Sequence, residues 1–141
     1  MERIYQIILN LKRLCLCNED RISSSCQIHV AEFKGISAID YQESISCSAL
    51  SQKMNLSLSR GSRIIDNLVR KGYLFREAKD QDRRITLVCL TEKGRKLKHK
   101  ITNEQLAFEE LLTSRLSSQE IEIVKRGLKT LEKALNQNIG D

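Results

Sequence analysis

The sequence predicts a mainly helical chain carrying one small β-hairpin, and three observations predict it. Apolar residues recur at steps of three and four through most of the chain, the signature of amphipathic helices. Residues 73–90 depart from that spacing and read as two short strands around a polar turn. Residues of capping type, Ser46, Ser57, Thr91 and Ser117, stand directly before helical stretches.

Taken in order, Ile4, Ile7, Ile8, Leu11, Leu14 and Cys15 mark one face of a helix over residues 3–17. Residues 18–28 are polar, with Ser23-Ser24-Ser25, and predict a break. Residues 29–39 form a second helix with Val30, Phe33 and Ile36 or Ile39 inward. Ser46 caps a short helix with Ala49, Leu50 and Met54 inside, ended by Asn55. Residues 57–71 form the next helix; Arg70 and Lys71 fill its last turn and Gly72 terminates it. Tyr73-Leu74-Phe75 is a strand, residues 77–83 a turn, and residues 84–90 the returning strand. Thr91 caps a long helix with Leu97, Ile101, Phe108 and Leu111 or Leu112 inward. Ser117 and Glu120 have capping-box spacing, with Leu116 and Ile121 as a hydrophobic staple. The last helix repeats Ile121, Val124, Leu128, Leu131 and Leu135 at alternating steps of three and four. Helices, a hairpin and two more helices in this order describe a winged helix-turn-helix. Its terminal helices are more apolar than the central lobe needs, so their surplus faces are expected to pair with a second copy. The division expected is 1–27 as an N-terminal dimerisation region, 28–100 as the winged lobe and 101–141 as C-terminal dimerisation helices, together one structural unit.

Hydrophobic residues at 40% and charged residues at 30% exclude a disordered chain. No run approaches the length of a membrane span, and Met1–Leu14 lacks a signal-peptide cleavage site. A cytoplasmic protein without membrane contact is expected. Five cysteines, an odd number, do not suggest a disulfide scaffold. The net charge is +6, but residues 57–100 alone hold 13 Lys/Arg against 5 Asp/Glu. All the excess positive charge therefore lies in one central segment, which attracts polyanions, chiefly nucleic acid.

At about 100° per residue, Leu58, Gly61, Ile65, Leu68 and Val69 share the core side of helix 57–71. Ser59, Arg60, Arg63, Asp66, Asn67 and Arg70 take the opposite side. Arginines near a helix N-terminus can reach guanine edges, and serines can reach phosphate. A hairpin beside that helix can place Arg83 or Arg84 in the adjacent minor groove, with Asp82 orienting a guanidinium and Lys79 attracting phosphate. Gly61 permits a close approach to the preceding helix.

Three motifs in order, Leu-Ser-x-Ser-Arg-x-Ser-Arg, Leu-Val-x-Lys-Gly-Tyr-Leu-x-Arg and Asp-Arg-Arg…Leu-Thr-x-x-Gly, run through residues 50–97. They resemble the multiple-antibiotic-resistance regulator (MarR) family of transcription factors. IHVAEF at 28–33 resembles the start of that family's second helix, with His29 where a Ser or Thr cap is usual. The resemblance implies an obligate homodimer that reads a pseudo-palindromic operator in double-stranded DNA and represses, released by a small-molecule effector, a metal or an oxidant. It places Ser57, Ser59, Arg60, Ser62 and Arg63 on the recognition helix, Arg84 in the minor groove and Arg83 on the DNA backbone. It places the dimer interface on the terminal helices, here Ile4, Ile7, Ile8 and Leu11 with Ile121, Val124, Leu128 and Leu131.

Cys15 and Cys17 point about 200° apart on a continuous helix and share an ion only if the helix breaks near residue 17, with Cys26 as a third ligand. Cys15 fits the apolar stripe as a small hydrophobe. Cys47 follows a helix cap, where a thiolate is stabilised. Cys15, Cys17 and Cys47 are therefore the candidate redox residues, while Cys89 is expected to pack in its strand. His29 and His99 have no ligand spacing. No metal site, cofactor or catalytic constellation is predicted, and the chain is not expected to be an enzyme. The alternatives are a thiol- or metal-sensing version of the same regulator, or a winged-helix protein-interaction module that does not bind DNA.

Overall fold

The element order in the computed structural model is α1 (Ile4–Ser25), α2 (Val30–Ala38), β1 (Ile45–Ser46), α3 (Cys47–Lys53), α4 (Leu58–Arg70), β2 (Leu74–Lys79), β3 (Asp82–Leu90), α5 (Glu92–Ser114) and α6 (Ser118–Ile139). It describes residues 1–79 and 82–139, with side chains at all of these except 79, 82, 83, 138 and 139. The fold is mainly helical with a small antiparallel sheet, as the spacing predicts.

The helices end by a shared device. Gln27, Asn55 and Gly72 each adopt positive φ after α1, α3 and α4. The next N–H then turns back: Ile28 to Ser23 O at 3.0 Å, Leu56 to Ser51 O at 3.0 Å and Tyr73 to Leu68 O at 2.9 Å. This satisfies carbonyls that the helix itself leaves open. The starts are capped where hydroxyls precede them. Ser46 Oγ accepts from Ala49 N–H at 3.1 Å and Ser57 Oγ from Arg60 N–H at 3.3 Å. Each such cap is worth about 1 kcal/mol. At α2, the Glu32 carboxylate accepts from the His29 N–H.

The fold departs from four expectations. The break at 18–28 does not occur, because α1 runs on to Ser25. Ile22 and Ser23 are buried, and tertiary packing outweighs the weak helix preference of the serines. The hairpin is one part of a three-stranded sheet ordered β1-β3-β2, in which Ile45 pairs with Val88 and Ser46 with Leu87. The wing strands are longer than expected: residues 77–79 belong to β2, and Asp82 and Arg83 open β3 rather than lying in a turn. The ladder is regular from Leu74↔Leu90 to Ala78↔Thr86, then shifts so that Lys79 faces Asp82. Leu58, placed in the core by its angle, is 55% exposed as the first residue of α4.

Two compact units divide the chain, Met1–Glu104 and Gln105–Asp141. In the first, one core joins Ile22 of α1, Phe33 and Ile36 of α2, Leu50 of α3, Ile65 and Leu68 of α4, the sheet residues Leu74, Val88 and Leu90, and Leu97 and Ile101 of α5. In the second, the end of α5 turns into α6 through a capping box. Ser117 N–H donates to Glu120 at 2.8 Å, and Glu120 N–H donates to Ser117 Oγ at 3.1 Å. Leu112, Leu116, Ile121, Val124 and Leu128 line a small cleft there. Phe108, Leu111 and Leu112, expected inward, are exposed.

Candidate nucleic-acid interface

Helix α4 stands on α3 with a close approach at Gly61. A methyl group at that position would overlap Ser51, whose hydroxyl donates to Cys47 O at 2.7 Å. Glycine is the residue that lets the two helices meet there. With Gly61, Ile65 and Leu68 buried, the opposite face carries Ser59, Arg60, Arg63, Asp66, Asn67 and Arg70, all exposed. Ser57 is the N-cap, so its hydroxyl is already engaged with backbone; Ser62 is half-buried. Five of the nine candidate DNA-binding residues, Ser57, Ser59, Arg60, Ser62 and Arg63, thus fall together on the first turns of α4.

The wing is tied to this helix. Arg76 of β2 donates to the Asp66 carboxylate of α4 in an ion pair. That bond, more than any other influence, raises the guanidinium above its ordinary value, and the Cys47 thiol contributes as well. The carboxylate on the exposed face of α4 is thereby neutralised by an element outside the helix. Ten residues and a turn separate Asp66 from Arg76, so no helical spacing reveals the pair. On β3, Arg84 is exposed; the side chains of Lys79, Asp82 and Arg83 lie outside the described residues.

The positive block of residues 57–100 is divided in its use. Lys71 pairs at 2.7 Å with Glu32, a carboxylate only 3% exposed. Lys93 donates to Lys71 O at 2.8 Å and lies over the Tyr73 ring. Arg95, Lys98 and Lys100 also donate to backbone carbonyls. Arg60, Arg63, Arg70 and Lys96 have no such acceptor among the described residues. Among the described side chains, three of these four cations, Arg60, Arg63 and Arg70, stand on α4.

The other candidate residues lie on α1, α3 and α6. Ile4, Ile7 and Leu11 are exposed on α1 with Ile8 half-buried, and on α6 Val124 and Leu128 are exposed with Ile121 and Leu131 half-buried. Cys15 and Cys17 are both exposed on α1, so Cys15 is not packed as a small hydrophobe within this chain. Because α1 is continuous, the condition under which they share an ion with Cys26 is not met. Cys26 is buried, and burial raises its thiol above the ordinary range; burial does the same to Cys89, against a bond from Ser44 that lowers it. Cys47 is the half-buried first residue of α3. Among the described residues, no three His, Cys, Asp or Glu side chains are grouped to hold a metal ion. Among the described residues, no helix is long and apolar enough to cross a membrane.

A helix laid across its predecessor, with a basic outer face and a β-wing beside it, defines a winged helix-turn-helix protein. The MarR family model matches residues 28–86. The transcriptional repressor MprA of Escherichia coli K12 is 31% identical, over 94% of this chain and 80% of its own length. Among solved structures, Streptococcus pneumoniae FabT in complex with DNA is 26% identical and superposes with a TM-score of 0.80, covering 94% of this chain and 98% of that one. Apo MarR from E. coli shares the fold at a TM-score of 0.79 and 23% identity, over 93% and 97% of the two chains. The chain belongs to the MarR family of transcriptional regulators.

Proposed function

We infer that this chain is a sequence-specific repressor that binds a pseudo-palindromic operator as a homodimer. The observation that carries this reading is the outer face of α4: Ser59, Arg60 and Arg63 exposed on its first turns, with the one carboxylate of that face paired to Arg76. Such a face presents guanidinium groups to a major groove without a competing negative charge. Arg84, near the start of β3 in the wing that Arg76 ties to that helix, takes the flanking minor groove, and Lys79, Asp82 and Arg83 complete the wing contact. MprA is a repressor and FabT is a DNA-bound neighbour; both support carrying the activity to this chain.

The homodimer rests on two exposed apolar faces, Ile4, Ile7 and Leu11 on α1 and Val124, Leu128 and Leu135 on α6. Apolar rows of this extent on a monomer mark association surfaces. Residues 1–27 and 101–141 are thus assigned to dimerisation and residues 28–100 to DNA. Two copies then offer two recognition helices, which fits an inverted-repeat operator. A small-molecule effector that releases the operator is part of this reading.

The experiment is selection of bound fragments from the source genome, followed by titration of the recovered duplex. An inverted repeat, protected by a dimer, is expected. Recovery of fragments with no shared sequence, at affinity equal to random duplex, would refute it.

A further inference from the structure

The N-terminal half of α5 is the most basic stretch of the chain, with Lys93, Arg95, Lys96, Lys98 and Lys100 within eight residues. Read as a surface, it would be a phosphate-binding strip. Its side chains do something else. Lys93 Nζ donates to Lys71 O, at the C-cap of α4, at 2.8 Å. Lys98 Nζ donates to Ile36 O at 3.2 Å and Ser37 O at 3.1 Å, in the last turn of α2. Lys100 Nζ donates to Ser25 O, the last residue of α1, at 3.1 Å. Three lysines of one helix thus reach the C-terminal carbonyls of three others. Those carbonyls are the groups a helix leaves unpaired, at the negative end of its dipole, where an ammonium is favoured.

The junction with α4 is the most extensive. Three successive carbonyls after that helix accept from the start of α5: Lys71 O from Lys93 Nζ, Gly72 O from Thr91 Oγ1 at 2.5 Å, and Tyr73 O from Thr91 N–H at 3.1 Å. Gly94 permits this approach, since a methyl group there would overlap Tyr73 O. Lys98 is the deepest of the three lysines, half-buried over the Tyr41 ring at 5.5 Å.

We propose that Lys93, Lys98 and Lys100 are positioning residues for operator binding, which fix the C-terminal ends of α4, α2 and α1 to α5 and do not contact phosphate. The proposal rests on the DNA-binding reading above and adds how the recognition helix is held in place. It separates two roles for lysine that have different salt signatures. Removing a cation that binds phosphate lowers the dependence of log affinity on log salt by about one unit, whereas removing an internal cap weakens binding at unchanged slope.

The test compares Lys93→Met, Lys98→Met, Lys98→Arg and Lys100→Met with Lys96→Met as the outward control. Operator titrations run over a series of salt concentrations, and amide hydrogen exchange is measured on the same free proteins. Lys93→Met and Lys98→Met are expected to weaken operator binding roughly tenfold at fixed salt, with the salt slope unchanged. Exchange should quicken in the last turn of α4 for Lys93→Met, of α2 for Lys98→Met and of α1 for Lys100→Met. Lys98→Arg should restore most of the loss, and Lys96→Met should leave exchange as in the wild type. Lys93→Met and Lys100→Met alter exposed side chains and so serve if Lys98→Met does not fold. A salt slope lowered by about one for these lysines, or quickened exchange with undiminished affinity, or no change in either readout, would overturn the proposal. Failure of the wild-type protein itself to prefer the operator would count against the DNA-binding reading, and exchange would still decide whether the caps exist.

Discussion

The winged lobe and the terminal helices are written in the same apolar code and meet different fates. In the lobe, positions spaced three and four apart close on one another: Ile36, Leu50, Ile65 and Leu68 are all fully buried. On α6 the same spacing leaves Leu128 half exposed, and on α1 Ile4 and Tyr5 are more exposed still. Periodicity fixes which face of a helix is apolar. It does not say whether the cover comes from the same chain; among the described residues the lobe's apolar faces close on one another, with Ile22 of α1 added to them.

The contrast can be broken most severely from the lobe side. Ile65→Ala removes a fully buried side chain where α4 meets the core. It is expected to cost roughly 2–5 kcal/mol, read by denaturant unfolding. A loss below about 1 kcal/mol would mean that the lobe is not closed as described. The matching change in the other region is Leu128→Asp. A charge on this face, proposed above to associate, is expected to give monomers while the lobe keeps its helical signal. Sedimentation at wild-type mass would remove α6 from the interface.

Smaller changes sharpen the comparison. Ser46→Ala deletes the cap of α3 and should cost about 1 kcal/mol in the lobe, checked by the same unfolding measurement. An effect within error would show that water replaces the hydroxyl. Least in size is Glu43→Gln. The Asp40 N–H bond, then the Lys53 ion pair, hold the Glu43 carboxyl below its ordinary value near 4.5. A carboxylate with a depressed folded value stabilises above the unfolded value, and that contribution is lost as pH falls through the folded one. The variant should therefore be less stable at neutral pH, by about 1 kcal/mol or less, and should match the wild type in acid. A difference that persists undiminished as the pH falls below the ordinary carboxyl value would contradict the assignment.

Most of the lobe is legible in the sequence because its signals are local. Ser46, Ser57, Thr91 and Ser117 each stand where a helix starts, and Gly72 stands where one ends. What escapes is set by distant partners. Strand β1 is two residues long and exists only because β3 passes beside it. The serines at the end of α1 stay helical because Ile22 and Ser23 are packed away. Leu58 fails for a different reason: angular position says nothing of place along the axis, and a first-turn residue projects past the core. In the candidate site, the Arg60 and Arg63 face is readable from spacing. The Arg76 clasp on Asp66 and the reach of the α5 lysines to the carbonyls of other helices are not, because both depend on where two elements cross. Counting charge along the chain therefore does not say which cations already have an acceptor in the fold.

The decisive measurement is a fluorescence-anisotropy titration of the genome-selected duplex against a scrambled duplex of equal length at fixed salt, for the wild type and for the Arg60→Ala/Arg63→Ala double variant. The wild type should bind the selected duplex at least about 1000-fold more tightly than the scrambled one, and the variant should lose most of that preference while remaining folded and dimeric. Equal affinity of the wild type for both duplexes, or full preference retained without the two arginines, would contradict the assignment of the α4 face as the surface that reads DNA.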